Sequence, residues 1–134
     1  MNPAEIDDDY ASAAETFATL AAYGPAGQDG PWIEGVLGRQ ATSTDGGWFL
    51  ESREFGTSRD LRRHLAWLLD FAEARPAALD RARSEGWEFV VLCLWSSALG
   101  HGGPVIDAGT LGRLAALGLD LQFDIYFPSD DDDL

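Results

Sequence analysis

Two stretches in the second half of the chain alternate large apolar side chains with other residues at the period of a β-strand. They are residues 87–95 (WEFVVLCLW) and 119–127 (LDLQFDIYF). Between them lie a glycine-rich loop, GHGGP at 100–104, and a helical pattern over about 108–117 that ends at Gly118. This order of strand, loop, helix and strand predicts a βαβ unit with parallel strands and a right-handed crossover.

The first half of the chain carries a similar order. We predict a strand over 15–23, ended by Gly24 and Pro25, and a second strand over 48–55. Between them, Asp29 and Gly30 are expected to cap a short helix that stops at Gly38. Two βαβ units predict an α+β fold: a four-stranded sheet with helices packed on one face, close to a ferredoxin-like sandwich.

Two further helices are predicted between the halves. The longer one covers 58–73 and is expected to begin at Ser58. Its apolar positions recur at the helical period; they are Leu61, Leu65, Leu68, Leu69 and Ala72. Pro76 opens the second helix, 76–85, which Gly86 ends. The resulting division is a mobile acidic arm over 1–14, a single domain over 15–127 and an acidic tail over 128–134.

The charge of the chain narrows the classes of partner. Among 134 residues there are 23 acidic and nine basic ones, all nine of them Arg, which gives a net charge of −14. A negative field of this size opposes binding to nucleic acid and to anionic membranes, and it favours a basic partner. The N-terminal residues do not resemble a signal peptide, and no apolar run reaches the length of a membrane span. A cytoplasmic location is therefore expected.

Five segments together are similar to one bacterial family. They are GGWxLxSRxF (46–55), DLRRHLAWLLD (60–70), LCLW (92–95), GHGGP (100–104) and LAALGLDLQFDIY (114–126). In combination they resemble the DUF4279 family, a domain of unknown function, over about residues 15–127. The resemblance implies a small, usually stand-alone bacterial protein. It implies no activity, cofactor or catalytic residue.

The loop GHGGP allows two interpretations. The backbone N–H groups of Gly100, His101, Gly102 and Gly103 could cradle an anion or small ligand before the last helix. Alternatively, the glycines serve only a tight connection that needs positive φ. A serine hydrolase is rejected because no GxSxG motif is present.

The metal-ligating residue types are scarce. With two His and one Cys, the sequence predicts no metal site. His64 is expected on the flank of the long helix, Cys93 as a buried thiol, and His101 as the better candidate for a functional histidine. Four of the five tryptophans are expected chiefly in the core, with one or two lining a groove or an interface; they are Trp48, Trp67, Trp87 and Trp95.

Two carboxylates, Asp120 and Asp124, share one face of the last predicted strand. Four residues along a strand span about 13 Å, which is too far for two carboxyls to share a proton. If that face is covered, Asp124 needs a cationic partner such as Arg53. If the face is solvated, it needs none. The sequence leaves both arrangements open.

These observations favour an acidic protein-binding module without enzymatic activity. The specific hypothesis is an immunity protein or antitoxin that neutralises a basic toxin acting on nucleic acid. The predicted partner-binding residues are acidic and exposed; they are Glu51, Asp120, Asp124, Asp130, Asp131, Asp132 and Asp133. The alternative is a small-ligand sensor that binds at 100–103, and an enzyme would require His101 or Cys93. No cofactor is predicted, and a homodimer remains open.

Overall fold

The structure is a computed structural model that describes residues 12–128. The predicted arm up to residue 11 and the tail from residue 129 lie outside the described residues. The elements are β1 (Ala13–Tyr23), α1 (Gly30–Leu37), β2 (Trp48–Glu51), a 3₁₀ turn (Ser52–Glu54), α2 (Leu61–Glu73), α3 (Pro76–Ser84), β3 (Glu88–Ser97), α4 (Ala108–Ala116) and β4 (Asp120–Tyr126). Within this range, the predicted mixture of four strands and four helices is confirmed.

The four strands form one open sheet in the order β2-β1-β3-β4. β3 and β4 are parallel and joined through α4, so the βαβ unit predicted for the second half is confirmed. β1 and β2 are neighbours but antiparallel. The prediction of a βαβ unit in the first half was therefore wrong, and two parallel units of a ferredoxin-like sandwich are not formed.

The connection between β1 and β2 explains this difference. The loop after α1 does not run along the sheet, because Thr42 and Ser43 form hydrogen bonds with the backbone of Phe49 in β2. A parallel β2 would therefore require α1 alone to return the chain to the start of β1. The eight residues of α1 span about 12 Å, whereas the eleven residues of β1 span about 36 Å. β2 therefore begins beside the end of β1, where Trp48 pairs with Ala22.

The helices pack on one face of the sheet, as predicted. On that face, alternate strand residues join helix residues in one apolar core. The strands contribute Ala18, Leu20, Ala22, Trp48, Leu50, Phe89, Val91 and Cys93, and the helices contribute Ile33, Leu37, Leu65, Leu68, Leu69, Leu79, Ala82 and Leu114. Trp48 and Leu50 lie on this face of the sheet, and Phe49 and Glu51 lie on the other.

The helix ends follow their local sequence. Asp29 caps α1 by accepting a hydrogen bond from the Trp32 N–H at 3.2 Å, and Gly38 ends it with a φ of 68°. α2 begins later than predicted, because Asp60 rather than Ser58 is its cap and accepts from the Arg62 N–H at 3.0 Å. None of the helices between residues 12 and 128 combines the length and apolar character that crossing a membrane demands.

A buried Ser–His pair ties the end of β2 to α2. The β1–β2 ladder stops at Glu51, and beyond it the Ser52 Oγ accepts a hydrogen bond from the buried Ala18 N–H at 2.8 Å. The Ser52 Oγ also lies 2.7 Å from His64 Nδ1, and His64 Nε2 lies 2.6 Å from the Ser58 carbonyl oxygen. A carbonyl only accepts, so Nε2 carries a proton, and in the neutral imidazole Nδ1 accepts from the Ser52 hydroxyl.

Two predictions are corrected by this pair. The strand predicted over 48–55 ends at Glu51, because Ser52 turns inward into a 3₁₀ turn. His64, predicted on the helix flank, is fully buried on the core side of α2.

Replacing Ser52 with Ala is expected to destabilise the fold, because it removes the hydroxyl that bonds two buried groups, the Ala18 N–H and His64 Nδ1. Loss of such a bond at a buried group costs about 1–3 kcal/mol. Urea unfolding followed by tryptophan fluorescence measures the change. Ser84→Ala is the matched control, since the Ser84 hydroxyl is exposed and bonds only the Arg81 carbonyl. Equal unfolding midpoints for the two variants would contradict the structural role of Ser52.

Candidate functional site

The face of the sheet turned away from the helices is called the open face here. In β1 it carries Phe17, Thr19, Ala21 and Tyr23, which alternate with the core residues. The strand register places Val90, Leu92 and Leu94 of β3 beside them. Among the described residues, the helices contribute their buried side chains to the core on the other face. The open face is therefore a surface and not an internal layer.

The centre of the open face is apolar. Phe17, Leu92 and Leu94 are half-buried, although none of the described helices covers them. They line a shallow groove of about 340 Å³, together with Thr19 and the side chains of β4. The smaller residues Thr19 and Ala21 are buried at the bottom of this layer, at 8% and 0% exposure. An apolar centre of this kind is partly shielded by its own neighbours and is available to a partner.

Carboxylates surround this centre on all sides. Glu51 lies on β2, Glu15 and Glu88 lie toward opposite ends of the central strands, and Asp120 and Asp124 lie on β4. The register places all five on the open face, because each pairs with a residue of that face. The surface is an apolar centre within an acidic rim.

Arg53 neutralises one part of this rim. Its guanidinium lies over the ring of Phe17, 4.1 Å from the ring centroid, and its Nε donates to Glu51 Oε1 at 2.9 Å. Arg53 therefore pairs with Glu51 and not with Asp124. Asp124 is exposed and accepts a hydrogen bond from the Tyr126 hydroxyl at 3.0 Å, which raises the pKa of Tyr126. Of the two arrangements left open for Asp124, the solvated sheet face is the one observed.

The structure thus brings three of the predicted partner-binding residues to one surface. Glu51 lies at one edge of the open face, and Asp120 and Asp124 lie at the other. The remaining predicted residues lie outside the described residues; they are Asp130, Asp131, Asp132 and Asp133. Sequence reasoning missed Glu15 and Glu88. Glu15 lies two residues before Phe17 and Glu88 two residues before Val90, and this period-two spacing is the signal that could have found them.

The GHGGP loop has the conformation expected of a tight connection. Gly100 and Gly102 adopt positive φ values of 78° and 99°. The Ser97 hydroxyl donates to the His101 carbonyl oxygen at 2.7 Å, while the His101 residue itself is exposed. The N-terminus of α4 is already occupied, because Asp107 accepts from the Thr110 hydroxyl at 2.7 Å and from its N–H at 3.2 Å. Ligand binding at 100–103 stays a prediction.

Cys93 lies in the core, as predicted. It is 1% exposed, and burial raises the pKa of its thiol to about 12. The thiolate is the nucleophilic form of cysteine, so this side chain is both inaccessible and protonated near neutral pH. Within residues 12–128, no group of three or more His, Cys, Asp or Glu side chains is placed to hold a metal ion.

The tryptophans are mainly core residues, as predicted. Trp48, Trp87 and Trp95 are buried, and Trp67 is partly buried with its ring stacked on Phe55. Trp87 also lines a second groove, of about 520 Å³, at the end of the sheet. Its neighbours there include Tyr23, Glu88 and Asp120, so one tryptophan lies against the rim of the open face.

Fold and surface together describe a small α+β protein in which the residues between 12 and 128 cover the sheet on one side only. The family described as "Domain of unknown function (DUF4279)" matches residues 30–128. The chain belongs to this family, as its sequence motifs predicted. No curated protein and no solved structure matches the chain.

Replacing Gly102 with Ala is expected to destabilise the loop. A Cβ at this position would lie 3.0 Å from Ser12 Oγ, and a non-glycine residue at a φ of 99° is strained by about 1–3 kcal/mol. Gly103→Ala is the matched control, because no atom lies within 4 Å of its added Cβ and its φ is not in the positive region. Thermal unfolding compares the variants. Equal melting temperatures would show that the loop does not depend on Gly102.

Cys93 is expected to resist thiol reagents in the folded protein. With a pKa of about 12, roughly one molecule in 10⁴ carries the thiolate at pH 8, and burial blocks access as well. Alkylation by iodoacetamide, followed by intact mass, should be slow in buffer and complete in urea. Rapid alkylation of the folded protein would contradict the buried position.

Proposed function

We propose that this protein is an acidic binding module that neutralises a basic protein, as an immunity protein or antitoxin neutralises a toxin that acts on nucleic acid. The observation that supports the proposal most directly is the open face. Its apolar centre of Phe17, Leu92 and Leu94 is ringed by carboxylates. An apolar centre within a polar rim is the usual anatomy of a protein interface.

Electrostatics support a basic partner. The net charge of −14 accelerates encounter with a cationic surface and repels nucleic acid and anionic membranes. An enzyme that acts on nucleic acid carries a basic substrate cleft, which an acidic rim complements. The apolar centre would then supply the buried contacts that hold the complex together, while the rim steers its formation.

The proposal places the protein in the bacterial cytoplasm, with no catalytic activity of its own. The reducing conditions of that compartment suit a single buried thiol, Cys93. The role would be stoichiometric: one bound module blocks one basic cleft. The expected phenotype is protection of the cell that carries both proteins.

The test is capture of the partner with matched charge variants. Tagged wild-type protein is expected to retain a basic protein from the native host at about 150 mM salt, and the purified pair should form a stoichiometric complex. The double variant Asp120→Asn, Asp124→Asn removes two rim charges and should raise the Kd at least about tenfold. The purified partner should act on nucleic acid, and wild-type protein should inhibit that action.

The control carries the same change of charge elsewhere. Asp80 and Glu85 are exposed acids on or next to α3, on the helix side of the sheet. Asp80→Asn with Glu85→Gln should leave the Kd within about twofold. Equal weakening by both double variants would indicate non-specific charge attraction and contradict a site on the open face. The absence of any basic partner at this salt concentration would contradict the function itself.

A further inference from the structure

β4 is an edge strand that is protected by charge alone, in the form of Asp120 and Asp124. It is seven residues long, and within residues 12–128 it pairs only with β3. An edge strand exposes backbone N–H and C=O groups on its outer side, and proteins commonly shield such edges with Pro, Lys or a bulge. The sequence DLQFDIY contains none of these residues, and its pairing with β3 shows no register shift.

The other edge of the sheet is shielded. β2 has four residues, and the backbone of Phe49 already bonds Thr42 and Ser43 on its outer side. The contrast makes β4 the edge at which a further strand can add.

The side of β4 that faces the helices is apolar and only partly covered. Leu121, Phe123 and Ile125 lie on this side, next to Val91, Cys93 and Trp95 of β3. Phe123 and Ile125 remain 44% and 39% exposed. Farther toward the start of the strand, a groove of about 410 Å³ runs between β4 and α4, lined by Leu111, Ala115 and Leu121 among others.

The opposite side of β4 is acidic. Asp120 and Asp124 lie there at alternate register positions, separated by Gln122, and both are exposed. The β4 edge therefore presents unpaired backbone groups, an apolar groove on one side of the strand and carboxylates on the other side.

We infer that β4 binds an extended segment of the partner as an additional strand, and that apolar and basic residues alternate in this segment. In a strand, successive side chains point to opposite faces. The apolar set would enter the groove beside α4, and the basic set would meet Asp120 and Asp124. Strand addition obtains its affinity from backbone hydrogen bonds and its specificity from alternate side-chain pockets. The inference deepens the proposed function and rests on it for the basic character of the partner.

A second copy of this chain fits the edge less well. In antiparallel pairing centred on Gln122, Asp120 of each copy would lie opposite Asp124 of the other. Such neighbours have Cβ atoms about 4.5–5.5 Å apart, where like charges are destabilising. The net charge of −14 on each chain adds to this repulsion.

The test uses a fluorescent eight-residue peptide of four Val-Arg repeats and a control peptide, Val₄Arg₄, of the same composition. Anisotropy at about 150 mM salt should give a Kd at least about tenfold lower for the alternating peptide. In hydrogen exchange, the alternating peptide should protect amides of residues 120–126, because added backbone hydrogen bonds slow exchange. Equal binding of the two peptides, no binding up to about 1 mM, or binding without protection of β4 would overturn the inference.

A pair of variants separates strand addition from general apolar attraction. Phe123→Ser should weaken binding of the alternating peptide at least about fivefold. Phe55→Ser removes a ring of similar exposure, 38%, beyond the other edge of the sheet, and should leave binding unchanged. Equal effects would overturn the inference. A basic partner that depends on Asp120 and Asp124 yet leaves β4 exchange unchanged would support the proposed function and overturn the added strand.

Discussion

The sheet buries one of its two faces against helices, and the rest of the structure depends on this constraint. The helices are short, between eight and 13 residues, and all contribute to a core on the same side. A sheet solvated on one side usually alternates apolar and polar residues cleanly. Here the central strands keep Phe17, Leu92 and Leu94 on the solvated side, with carboxylates at the rim and the Arg53 guanidinium over the Phe17 ring. The apolar centre is an exception to this alternation, and the proposed binding function rests on it.

The elements of this fold could be read from the sequence, but their directions could not. Alternation over 87–95 and 119–127, with Gly118 between helix and strand, predicted the parallel β3–β4 pair. The same order in the first half predicted a second parallel pair, yet β1 and β2 are antiparallel. Periodicity reports which face a residue occupies and carries no information on strand direction. That direction was decided by hydrogen bonds that join Phe49 to the loop residues Thr42 and Ser43. No pattern in the sequence predicts these bonds.

The position of His64 in the helix predicted its burial, but the polar character of the residue was given more weight. Leu61 lies three residues before it and Leu68 four residues after it, so His64 lies on the apolar stripe of α2. A polar residue such as His64 is expected at the surface, whereas its position on the apolar stripe predicts a place in the core. Position prevailed because Ser52 and the Ser58 carbonyl satisfy both ring nitrogens. A buried polar group is tolerated when its partners come from the fold itself, and here they join β1, the 3₁₀ turn and α2.

Charge on the open face was predictable in kind, and its arrangement followed from the sheet order. Glu51 and Asp124 are far apart in sequence, and only the order β2-β1-β3-β4 sets them at opposite edges of one apolar surface. The acidic side chains of β4 then have two consequences. They disfavour pairing of two identical edges, which limits self-association of an otherwise unprotected strand. They also complement cations, so under the proposed function the same residues that keep like chains apart would select a basic partner. Specificity of this kind depends on repulsion as much as on attraction.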